Sequence, residues 1–295
     1  MKKTVAIIGA LDTKCEDILF IRGGLTQAGC NVLLIDTSIL KHSSQHPDVT
    51  AREIVAEAGE RLSMLRKTRD RGAAVAALCS GIPAIARKLL ADKRIDGIIA
   101  IGGGAGTSVG TAAMRALPVG FPKVMITTMA SGVTRGYVGD KDIIMFPSIV
   151  DIAGVNVISS RIYTNAVGAM NGMLKMEFAP RRHGKTLALS MYGNTTPVVE
   201  RCKQQIMRRG YEALVFHANG VGGQSMENLI IEGVIDGVLD ITTTELADEL
   251  AGGDASAGSL RMEAAGNRGL PQVIVPGCMD MVNFLVASQL GDLNT

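Results

Sequence analysis

Asp96-Gly97-Ile98-Ile99-Ala100-Ile101-Gly102-Gly103-Gly104-Ala105-Gly106-Thr107-Ser108 passes from an apolar, β-branched run into glycines, then into a helical stretch from about Val109 to Leu117. A short buried strand, a glycine turn and a helix in that order make half of a parallel α/β unit. Glycine lets the backbone turn tightly and approach a ligand closely. The N-terminus of the following helix offers unpaired N–H groups and partial positive charge to an anion. A phosphate is therefore the expected guest of Gly102, Gly103, Gly104, Gly106, Thr107 and Ser108, against the competing reading of a tight turn that binds nothing.

The same alternation repeats on both sides of this stretch. Strands are expected at Thr4 to Gly9, Asn31 to Asp36, Asp96 to Ile101, Lys123 to Thr128, Thr186 to Met191, Glu212 to Phe216, Gly237 to Leu239 and Gln272 to Val275. Thr13-x-x-Glu16, Thr50-x-x-Glu53 and Thr242-x-x-Glu245 fit the capping box that satisfies orphaned N–H groups at a helix start. From Ile152 to about Phe178 apolar residues recur every fourth position (Ile158, Ile162, Ala166, Met170, Leu174), as in one long helix. Pro180 stops it, and Arg181-Arg182-His183-Gly184 reads as a connection between two Rossmann-like lobes, residues 1–180 and 184–295, with mainly parallel sheets flanked by helices. A cleft between lobes is the expected place for a small ligand.

Composition narrows the function classes. The chain has 295 residues, 47% hydrophobic, and at this size an aliphatic core can hold the fold without disulfides. Thirty Lys and Arg against 28 Asp and Glu, six Phe, four Tyr and no Trp leave neither a basic footprint nor stacking rings for nucleic acid. Five cysteines without a C-x-x-C pair read as reduced thiols and a cytoplasmic location, and no run of membrane-spanning length is apparent. His42-x-x-x-His46 lies in a polar loop without further ligands, so no metal site is assigned there.

Known fingerprints fit poorly. Thr107 and Val109 stand where G-x-G-x-x-G needs glycine, and Gly184-Lys185-Thr186 lacks the first glycine of a P-loop, with Ala179 in its place. Gly106-Thr107-Ser108-Val109-Gly110 satisfies G-x-S-x-G, yet Ser108 follows a long glycine stretch instead of sitting on the sharp turn of a nucleophile elbow. Other polar groups gather at predicted strand ends, where open α/β sheets bind ligands: Asp12, Thr13 and Lys14, then Thr127, Ser131 and Gly132, with Asp36 where a ribose-binding carboxylate often lies. In the second lobe Asn194, Thr195, Thr196, His217, Gly220, Gly222, Gly223 and Glu245 are the corresponding candidates. If the chain is an enzyme, Asp12, Asp151, His217 and Glu245 are the acid/base candidates, each with a reading as a cap or buried polar group beside it.

Gly9-Ala10-Leu11-Asp12-Thr13-Lys14, the loop from Gly102 through Ala112, Ser148-Ile149-Val150-Asp151-Ile152-Ala153-Gly154, His217 to Glu227, and Gly237 to Leu250 together resemble one family. It is the uncharacterised bacterial family that shares the ATP-binding N-terminal domain of the tomato mosaic virus resistance protein. The resemblance runs from Met1 to about Phe284. It implies two Rossmann-like lobes, ATP or a similar purine nucleotide in the cleft, and homodimers; magnesium is a candidate companion of such a nucleotide. The reaction stays open between nucleotide binding, an enzyme on a phosphorylated or carboxylated metabolite such as a sugar acid, and a regulatory protein without catalysis. Gly139-Asp140-Lys141-Asp142 and Asn219 depart from the family pattern, where small hydroxyl residues and Thr are expected. Leu285 to Thr295 does not resemble the family's continuation, so the second lobe is expected to be incomplete.

Overall fold

The computed structural model describes residues 2–40, 45–176 and 184–284. The chain divides into two compact units, Met1–Phe178 and Ala179–Thr295. His42, His183, the connection at 180–183 and the segment from Leu285 to Thr295 lie outside the described residues.

In the first unit the order is β1 (Thr4–Gly9), α1 (Cys15–Gln27), β2 (Asn31–Asp36), α2 (Ala51–Glu57), α3 (Leu62–Thr68), α4 (Arg71–Ala91), β3 (Gly97–Gly102), α5 (Gly104–Arg115), β4 (Lys123–Thr127), α6 (Arg135–Val138), β5 (Ile144–Pro147) and α7 (Val157–Lys175). The five strands are parallel in the order β2-β1-β3-β4-β5. Strand side chains alternate between faces, and the core follows that period. Ala6, Ile8, Ile98 and Ala100 pack under α2, α4 and α5, while Val5, Ile7, Ile99 and Ile101 pack under α1 and α7. Both faces are covered, which is why the strands read as continuous apolar runs.

The second unit contains β6 (Thr186–Met191), α8 (Thr196–Arg208), β7 (Glu212–His217), α9 (Val221–Ile231), β8 (Gly237–Thr242), α10 (Thr244–Ala251), α11 (Ala264–Asn267) and β9 (Gln272–Gly277). Its sheet is parallel in the order β7-β6-β8-β9. Ala188 and Val238 face α9 and α11; Leu189 and Ile241 face α8. The edge strand β9 leaves Val273, Ile274 and Val275 exposed.

All eight expected strands form, with ends shifted by at most a few residues, and β5 joins them as a fifth strand of the first sheet. Only one of the three expected capping boxes forms: Thr50 Oγ1 accepts from Glu53 N–H while Glu53 accepts from Thr50 N–H. α1 is preceded by Lys14 with no side-chain cap, and the Thr242 and Glu245 side chains are drawn into the interior. The long helix begins at Val157, where Asn156 and Ser159 form a reciprocal cap, five residues later than Ile152. Among the described residues one helix, α4, is long and apolar enough to cross a membrane by length and composition. Its Ala77, Leu78, Ile82, Ile85 and Ala86 are buried against the first sheet, and an added Cβ at Gly81 would meet the Ile54 carbonyl of α2 at 1.8 Å. It is a core helix here.

Candidate functional site

In the first sheet the winding direction reverses between β1 and β3, and ligands of open α/β sheets bind outside the carboxyl ends of strands at such a point. A pocket of about 480 Å³ lies there. One wall is the loop that follows β1, with Ala10, Asp12, Thr13 and Lys14; the opposing wall is the N-terminus of α5, from Gly102 to Gly106. Ile39, Leu40, Val75, Leu78 and Val109 add an apolar side, and Arg71 and Asp151 add charge.

α5 starts at Gly104 behind Gly103, with no side chain capping it. Thr107 N–H is the first to find a helical partner, the Gly103 carbonyl at 2.8 Å. The N–H groups before it are the orphans of a helix start, and they border the pocket. The glycines divide by role. A Cβ on Gly102 would meet the Gly106 backbone at 2.7 Å, so this glycine is needed for the turn itself, whereas above Gly104 the space is open for 4 Å.

The loop after β1 is held by hydrogen bonds to the loop after β2. Asp12 N–H donates to Ser38 Oγ at 2.9 Å, and Leu40 N–H donates to Asp12 Oδ2 at 2.9 Å. Asp36 Oδ1 accepts from Leu11 N–H at 3.1 Å, Ser38 N–H at 2.9 Å and the Ser38 hydroxyl. Lys14 Nζ donates to the Ile152 carbonyl and so ties this loop to the segment carrying Asp151. Beneath it Tyr163 donates its hydroxyl to Asp17 at 2.7 Å; burial, then the Asp17 carboxylate, raise the phenol above its ordinary range.

Several expected ligands have other work. Thr107 and Thr127 are fully buried and bonded to each other, so their hydroxyls are built into the fold. Ser108 sits in the second turn of α5 and donates back to the Gly104 carbonyl at 3.1 Å, away from any strand-to-helix elbow; the hydrolase geometry is absent. Asp36 borders a second cavity of similar volume with Ser38, Arg52, Glu53 and Arg66, which lies off the switch point. Ser131 and Gly132 are exposed in the loop after β4 and do not border the pocket.

The second-unit candidates form a structural network. Glu245, fully buried, accepts from Gly220 N–H at 2.7 Å and Gly223 N–H at 3.0 Å, and from Arg261 Nε at 2.7 Å. Arg261 also forks onto both oxygens of Asp240 at 2.7 Å and reaches Glu227 at 3.1 Å. Burial pushes the Glu245 carboxyl above its ordinary 4.5, with Arg261 and the two N–H groups pulling it back. Added Cβ atoms on Gly222 and Gly223 would collide with the His217 carbonyl and the Glu245 carboxylate, so these glycines answer to packing. His217 stacks on Tyr192 at 5.3 Å, Thr195 pairs with Thr242 at 2.7 Å, Thr196 donates to the Tyr192 carbonyl at 3.2 Å, and Asn194 reaches Met281 at 3.3 Å.

Sequence reasoning missed Ile39, Leu40, Arg71, Val75 and Leu78. A signal existed: a helix that leads into a parallel strand starts at the carboxyl end of the sheet, and Arg71, Val75 and Leu78 share one face at i, i+4 and i+7.

The fold is that of a doubly wound α/β protein of two units, with a pocket over the switch point of the first sheet. The chain belongs to the uncharacterised protein family UPF0261, whose N-terminal domain matches residues 3–179 and whose C-terminal domain matches residues 184–292. A UPF0261 protein of Clostridium tetani is 46% identical over 96% of this chain and 70% of its own length. The ToMV resistance protein Tm-1 of Solanum lycopersicum is 37% identical over 95% of this chain, which spans 40% of that protein. Among solved structures, UDP-N-acetylglucosamine 2-epimerase from Rickettsia bellii aligns over 92% of this chain and 78% of its own with a TM-score of 0.30 and 11% identity.

Proposed function

We infer that the first unit binds a nucleotide of the ATP type, with its phosphates against the N–H groups at the start of α5 and its base and sugar along Ile39, Leu40, Val75 and Leu78. The observation that carries this reading is the pocket over the β1/β3 switch point, bounded by an uncapped helix N-terminus whose Gly104 faces open space. Helix dipole and free N–H groups together favour an anion there. A volume of about 480 Å³ falls within the usual range of small-molecule pockets. Asp12 and Asp151 are the carboxylates that would hold magnesium beside the phosphates, since that ion takes one or two carboxylates and completes its shell with phosphate oxygens and water.

A thermal-shift panel of ATP, ADP, phosphorylated sugars and sugar acids tests the reading. A ligand specific to the folded state raises apparent stability by RT ln(1 + [L]/Kd). Stabilisation by ATP or ADP alone supports the nucleotide; stabilisation by a sugar acid alone assigns the pocket to a metabolite instead.

A further inference from the structure

Arg71 opens α4 and lies on the same helical face as Val75 and Leu78, so this face reaches the pocket with one cation followed by apolar residues. Among the described residues the other cation that borders the pocket is Lys14, and it is held by the Ile152 carbonyl. The guanidinium of Arg71 makes no hydrogen bond or ion pair with any of the described residues, although Asp12 and Asp151 border the same pocket. A guanidinium is a planar fork that matches phosphate oxygens in pairs. The α5 N-terminus supplies neutral N–H donors for one anionic group, and Arg71 supplies a full positive charge for another.

We propose that Arg71 sets the charge specificity of the pocket by gripping a second, distal phosphate, so that the site selects nucleoside di- and triphosphates over monophosphates. This rests on the nucleotide reading above and deepens it. Arg71 is exposed at the first position of its helix, so its replacement leaves core packing untouched.

Calorimetric titration of the unmodified chain and of Arg71→Met with AMP, ADP and ATP tests it, with the unliganded melting temperature of both proteins as a check on folding. Loss of a hydrogen-bonded charge contact is expected to weaken ADP and ATP about tenfold or more in the variant, and AMP by less than about threefold. Equal weakening of all three nucleotides, or unchanged ADP and ATP binding in the folded variant, overturns the proposal. If the unmodified chain binds none of the three, the nucleotide reading itself fails and Arg71 falls with it.

Discussion

Thr107 Oγ1 and Thr127 Oγ1 lie 2.5 Å apart in a fully buried contact that joins the first turns of α5 to the end of β4. Thr107 donates to the Gly103 carbonyl at 2.8 Å, and Thr127 accepts from Met129 N–H at 2.9 Å. One chain of hydrogen bonds therefore runs from the loop after β4 to the residue that precedes α5. Thr127→Val leaves the Met129 N–H without this acceptor and is expected to cost about 1–3 kcal/mol by urea unfolding. Combined with Thr107→Val the losses should fall short of additive by at least about 0.5 kcal/mol; additivity would show that the hydroxyls act separately.

Arg261 faces three carboxylates in the second unit, all buried. Arg261→Leu removes the only charge that compensates them in this network and is expected to destabilise by about 3–5 kcal/mol near neutral pH. The sign of its pH dependence follows from Glu245. A carboxyl whose folded value lies above its ordinary 4.5 favours the fold below that pH and loses this contribution as pH rises through the folded value. Unfolding curves should therefore show the variant losing stability, relative to the unmodified chain, as pH rises from 4.5 to 7. A pH-independent difference would mean that the carboxylates are neutralised by other means.

Tyr163 ionises above its ordinary 10.0 because it is buried and bonded to Asp17. Its stabilising contribution is complete below pH 10 and lost as pH climbs through the raised value. An absorbance titration of tyrosinate should contain a late component that is absent from Tyr163→Phe. Superimposable titrations of the two proteins would contradict the assignment.

Ile149 adopts φ 63°, and Val150 N–H closes onto the Ser148 carbonyl at 2.7 Å, a three-residue turn that is strained for a β-branched residue. The residue is 74% exposed, so little burial is lost on replacement. Relief of about 1–2 kcal/mol of left-handed strain, less the about 0.5–1 kcal/mol entropic cost of glycine, leaves Ile149→Gly about 0.5–1 kcal/mol more stable. A lower denaturation midpoint would show that the turn is not strained.

Much of this architecture was legible in the residues. β1, β2 and β6 read directly as apolar runs because both faces of a parallel sheet are covered, so periodicity and composition agree. β5 escaped because Ile144–Pro147 is four residues long and ends in proline after the charged Asp140-Lys141-Asp142. The glycine loop could be read as a pocket wall, since strand, glycines and helix follow in one stretch. Thr13, Thr242 and Glu245 matched capping spacing, but Arg261, distant in sequence, claims Glu245, and Thr195 claims Thr242. Tertiary partners of that kind leave no local mark. Arg71 differs: its shared face with Val75 and Leu78 was readable, but that this face reaches the pocket follows only from the winding of the sheet.

The account turns on whether phosphates meet the backbone at the start of α5, and isothermal titration of ATP into the unmodified chain and into Gly104→Val measures this most directly. Beyond its chain neighbours and the backbone of its own helix, nothing lies within 4 Å of the Cβ position on Gly104, so the variant should fold while its side chain fills the space assigned to the ligand. Binding of ATP by the unmodified chain and its loss in a folded Gly104→Val protein is the expected result. Equal affinity in the two proteins would place the nucleotide elsewhere and contradict the assignment of this pocket.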